Sequence, residues 1–103
     1  MSTQETVTWD IRGIAVAIMR ESDWPLWVAM DGNFQPDYSR WHRRIETAIK
    51  KLHASGVRVE RVVVDPVAFD RWRRERGLPM CASARAAFAA QLMAERDEGN
   101  AAA

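Results

Sequence analysis

The spacing of apolar residues changes along this chain between a period of two and a period of about 3.6, and the changes mark its elements. Within Arg12 to Arg20, Ile14, Val16 and Ile18 share one period-two face while Ala15, Ala17 and Met19 share the other, which predicts a first strand. Ile11, Ile14, Ala15 and Ile18 also fit a helical stripe, so a helix is the alternative there. Glu21-Ser22-Asp23 supplies turn chemistry, and Trp24 is pushed toward extended geometry by Pro25. Leu26 to Met30 then reads as a second strand, hairpinned to the first and ended by Asp31-Gly32-Asn33.

Tyr38 to Ala54 carries the clearest pattern. Trp41, Ile45, Ala48, Ile49 and Leu52 recur at helical offsets, Asp37 or Ser39 can cap the start, and Gly56 can take the left-handed conformation past the end. Val57 to Val64 is rich in β-branched residues and predicts a third strand, parallel to the second through the intervening helix. Asp65-Pro66 is a helix start, and Gly77-Leu78-Pro79 a stop. Ser83 can cap a last helix whose Ala84, Phe88 and Leu92 form a stripe to about Arg96. The expected fold is α/β (α+β), a small three-stranded mixed sheet in the order β-β-α-β-α-α with helices packed on it. It forms a single domain over 8–96, with a disordered N-terminus over 1–7 and a disordered tail over 97–103.

Composition agrees with one folded unit: 103 residues, 48% hydrophobic and 28% charged, is a globular balance. The longest apolar run, Gly13 to Met19, is far short of a bilayer span, no export signal is visible, and the single Cys81 cannot form an intrachain disulfide. The expected setting is therefore the cytoplasm, without a membrane partner.

Charge changes the picture more. The net charge is only +1, yet Arg40 to Arg76 holds eleven Lys and Arg against five Asp and Glu, a local +6. Arg40, Arg43, Arg44 and Lys51 project away from the Trp41/Ile45/Leu52 stripe, with Lys50 beside them. Arg71, Arg73, Arg74 and Arg76 join them if the next helix lies alongside. A solvated polar face explains the same residues, with Glu46 four before Lys50 and Asp70 four before Arg74, and a pI near 8.0 is modest for a nucleic-acid binder. Arginine outnumbers lysine 13 to 2, which GC-rich coding explains as well as phosphate binding does.

Five tryptophans are a heavy load for this length: Trp9, Trp24, Trp27, Trp41 and Trp72. Trp41 and Trp72 sit on helix stripes and suit the core. Trp24 and Trp27 flank the expected hairpin, where a short sheet leaves room for exposed aromatics of the kind that anchor interfaces.

Motifs that carry chemistry are missing: no glycine-rich phosphate loop, no Cys-x-x-Cys and no serine elbow. His42 and His53 lie 11 residues apart on one helix, roughly 16 Å, too far to share a metal. Asp31, Asn33 and Asp37 miss the calcium-loop spacing and have turn or capping roles. Cys81 precedes a helix start, where the dipole favours a thiolate, but no base stands near it in sequence.

The expected function is a small non-enzymatic protein-interaction domain, self-associating or binding another protein. Its surface is Trp24, Trp27, Arg40, Arg43, Arg44, Arg73 and Arg76, with no cofactor and no metal. The alternative is a nucleic-acid-binding protein that uses the basic helices 38–54 and 66–76, with at best a loose helix-turn-helix analogy around Gly77-Leu78-Pro79. A third possibility, a hydrolase or nuclease-like enzyme using His42 or His53, rests on residue types alone.

Overall fold

A computed structural model describes residues 13–102, with side chains described as far as Arg96. The expectations for residues 1–7 and for Trp9 lie outside the described residues. Strand β1, Ile14–Ile18, is followed by a single 3₁₀ turn at Glu21–Asp23 and helix α1, Trp24–Met30. Helix α2 spans Tyr38–Ala54, strand β2 Val59–Val63, helix α3 Pro66–Glu75 and helix α4 Ala82–Ala102. The sheet has two strands, not three: β1 and β2 pair in parallel, from Ile14 opposite Val59 to Ile18 opposite Val63.

The missing strand is α1. Its start turns on Pro25 at the first helical turn, where a ring without an N–H costs nothing, and Trp24 takes helical φ −58°, ψ −43° despite the proline after it. Spacing decides the outcome: Trp24, Trp27 and Val28 stand at i, i+3 and i+4, so a helix turns all three toward the core, where a strand would send Trp24 and Trp27 to opposite faces. The crossover consequently joins β1 to β2 through two helices.

The other elements follow their local chemistry. Asp37 caps α2 by accepting from the Ser39 and Arg40 amides, and Asp65 caps α3 by accepting from Ala68. Gly56 and Gly77 take φ of 81° and 64° just past the two helices. Ser83 lies inside α4 and does not precede it; its hydroxyl meets Cys81 Sγ at 3.2 Å. The α4 backbone continues past Arg96, where its apolar stripe ends, to Ala102. Among the described residues no helix is long and apolar enough to cross a membrane.

Two neighbouring β2 residues show how the layers stack. Glu60 meets Arg96 of α4 at 3.1 Å, while Arg61 meets Glu46 of α2 at 2.6 Å, and adjacent strand residues point to opposite faces. Helix α4 therefore covers the face carrying Ala15, Ala17 and Val62, with Ala84 and Ala89 buried on the helix side; small residues on both sides let helix and strands approach closely. Helix α2 lies against β2 on the opposite face, which stays partly open at Ile14 and Val63, and its Ile49 is buried apart from the main core. That core is a chain of rings: Trp24 lies 4.6 Å from Phe34, Phe34 stacks on Trp27 at 5.7 Å, and Trp27 leads through Phe69 to Phe88.

The sheet begins at a close approach. Gly13 has φ 83°, and a Cβ there would stand 2.6 Å from the Arg58 carbonyl oxygen, which already accepts from the Ile14 amide at 2.8 Å. Gly56→Ala meets open space and should cost about 1 to 2 kcal/mol for its left-handed backbone alone. Gly13→Ala carries that cost plus a clash with backbone, so its urea midpoint is expected to fall clearly further. Equal midpoints would show that β1 and β2 can separate there without loss.

Candidate functional site

Helix α2 stands out through what its cations do not contact. At 100° per residue, Arg40, Arg44, Thr47 and Lys51 fall within about 60° of arc, with Arg43 and Lys50 on one flank and Ile49 on the far side. Arg40, Arg43, Arg44 and Lys51, with Gln35, Thr47 and Ala48, line one open depression of about 570 Å³. All four cations are exposed, and among the described residues none has a carboxylate partner.

The one carboxylate of α2 faces away. Glu46 is gripped by both terminal nitrogens of Arg61, at 2.6 and 2.8 Å, and His42 Nε2 lies 3.8 Å from it. The Arg61 hydrogen bond, helped by its charge, holds the Glu46 carboxyl below its ordinary value, and the same bond raises Arg61. Glu46 thus stays ionised and occupied by Arg61, about 120° around the helix from Arg40, past the Arg43 and Lys50 flank.

Most arginines elsewhere are engaged, though Arg71 on α3 is exposed with no acidic partner among the described residues. Arg73 reaches Asp70 at 2.8 Å and donates to the Leu78 carbonyl; Arg74 also reaches Asp70, at 3.1 Å. Arg76 lies 3.8 Å from Glu75 and its guanidinium covers the Trp72 ring at 4.6 Å. Helix α3 packs on α4 through Phe69, Trp72 and Phe88, and none of its arginines lines the α2 depression. Of the seven residues expected to form one surface, Arg40, Arg43 and Arg44 come together, and Arg73 and Arg76 stand apart on α3.

Trp24 and Trp27 are core residues, 5% and 0% exposed. Once Leu26 to Met30 is helix, both indoles turn inward; Trp24 Nε1 donates to the Gln35 carbonyl at 3.1 Å, while Trp27 Nε1 has no partner among the described residues. What reaches the surface there is a shallow cleft of about 810 Å³ formed by Pro25, Val28, Pro36 and Tyr38 over the Trp24 edge, with Glu21 and Asp37 at its rim. The residues that sequence reasoning missed are Gln35 and Thr47, the uncharged polar members of the basic depression; Thr47 lies four after Arg43 and four before Lys51, a spacing that places it on the same face.

The remaining chemical candidates stay separate. The Cys81 thiol is drawn below its ordinary value, first by the Ser83 hydroxyl and then by the Ala84 amide, with Arg85 adding charge. Neither histidine is among the groups acting on it. His42 stacks on Tyr38 at 5.6 Å, and His53 is exposed near the end of α2. Among the described residues no group of three His, Cys, Asp or Glu side chains is placed to hold a metal ion. The helix-turn-helix analogy finds no reading helix, because the exposed positions at the start of α4 are Ala82, Ser83, Ala86 and Ala87, which offer little to a base edge.

The chain matches no protein-family model, no curated protein and no solved structure, so the functional reading rests on this geometry.

Proposed function

We propose that the chain is a non-enzymatic binding domain that holds the phosphate backbone of a nucleic acid against helix α2. One observation carries the reading: four cations on one face of a helix share a depression with no carboxylate among the described residues, while Arg20, Arg61, Arg73, Arg74, Arg85 and Arg96 each have an acidic partner. A surface left this positive within a chain of net charge +1 favours an anionic ligand, and guanidinium forks fit phosphate oxygens.

Salt dependence tests it. Four phosphate contacts give a slope of log affinity against log salt of about −2.8 to −3.6 depending on strandedness, and Arg43→Ala/Arg44→Ala should halve it. The measurement is fluorescence anisotropy of a labelled mixed-sequence oligonucleotide, with circular dichroism to confirm that the variant folds. Binding that ignores salt, or a double variant with the parental slope, would refute the reading.

Protein association is the second reading, favoured by the cleft of Pro25, Val28, Pro36 and Tyr38 over Trp24. Light scattering separates the two. A dimer unaffected by salt and by nucleic acid supports association, whereas a monomer that grows only with oligonucleotide supports the phosphate reading.

A further inference from the structure

Resting on the phosphate-binding reading, we infer that the preferred ligand is a double-stranded nucleic acid, contacted along its backbone, and not a single strand. Proteins that hold single strands pair a positive groove with aromatic side chains on which successive bases stack. Among the described residues the α2 depression has the first and lacks the second: its lining is Gln35, Arg40, Arg43, Arg44, Thr47, Ala48 and Lys51, without a ring.

The described rings are committed elsewhere. Trp24, Trp27, Phe34, Phe69 and Phe88 are buried. Tyr38 and Trp41 are half-buried, each 5.1 Å from the Trp24 ring, and Trp72 lies under Arg76 with its indole N–H on Gln91. His42 and His53 are exposed on α2, but they stand about 160° and 140° around the helix from Arg40, away from the depression.

The cations are also held at fixed separations: Arg40, Arg43 and Arg44 lie within about 6 Å of helix axis and Lys51 about 10 Å further on. Cations fixed on a 17-residue helix suit a stiff charge array. A flexible strand gains nothing from that rigidity unless its bases can also stack.

The experiment compares a mixed-sequence DNA duplex with one of its strands alone, by anisotropy over a range of salt, using the full chain. Four contacts give slopes of about −3.6 on duplex and −2.8 on single strand, so from equal affinity at 1 M salt the duplex binds about sixfold more tightly at 0.1 M. Arg40→Ala/Lys51→Ala, which removes the two ends of the row, should lower the duplex slope to about −1.8. Equal or tighter binding of the single strand overturns this inference and leaves the phosphate reading standing. Binding of neither form, with polyglutamate bound instead, overturns both and assigns the face to an acidic protein.

Discussion

Trp27→Ala should remove about 3 to 5 kcal/mol of stability, the range for deleting a buried tryptophan. A domain of this length holds about 5 to 15 kcal/mol in total, so the loss is a large fraction of the stability. Trp27 is fully buried and joins three parts of the fold: it stacks on Phe34 of the loop before α2, touches Phe69 of α3 and lies 5.7 Å beneath the Arg85 guanidinium of α4. Urea denaturation followed by circular dichroism reads the loss directly.

A gentler pair of variants isolates the indole N–H. Trp27→Phe discards a buried donor that has no partner, whereas Trp24→Phe discards one bonded to the Gln35 carbonyl. Both lose similar volume, so Trp27→Phe should cost less than Trp24→Phe. The reverse order would mean that a bound water satisfies Trp27.

These tryptophans also show where the sequence was opaque. A seven-residue apolar run is too short for its period to be decisive, and the extended bias that Pro25 places on Trp24 is weak against the burial of two indoles on one side. Helix α2 was legible from Asp37 to Ala54 because seventeen residues give its stripe several turns to repeat, and β1 and β2 because Val and Ile crowd into them. Which arginines stay open was partly countable. Asp70 stands three and four residues before Arg73 and Arg74, within reach on one helix, while α2 contains only Glu46, on the wrong flank for Arg40, Arg44 and Lys51. That Arg61 would occupy Glu46 was not countable, since it depends on how α2 lies across β2.

Nothing local announces the contact between Asp31 and Arg85, 54 residues apart, and it carries the second large effect. Arg85 Nη1 donates to Asp31 Oδ2 at 3.1 Å with both side chains nearly buried, Asp31 Oδ1 accepts from the Asn33 amide, and the guanidinium covers Phe34 at 4.8 Å. Arg85→Met leaves a carboxylate buried with one amide for company and should cost about 3 to 5 kcal/mol. Adding Asp31→Asn removes the stranded charge and keeps an oxygen for Asn33, so the double variant should regain most of the loss; if it stays as unstable as the single one, the guanidinium matters through packing on Phe34 and Trp27 instead.

The same pair bears on function through the loop it anchors, because Asp31 to Asp37 sets where α2 begins and hence where Arg40 stands. Arg85→Met leaves every cation of the α2 face in place. Its binding should therefore fall only in proportion to the unfolded fraction, with the salt slope unchanged, whereas Arg43→Ala/Arg44→Ala should lower the slope without moving the urea midpoint. A changed slope in the Arg85 variant would show that the row of cations depends on this buried pair for its alignment as well as its stability.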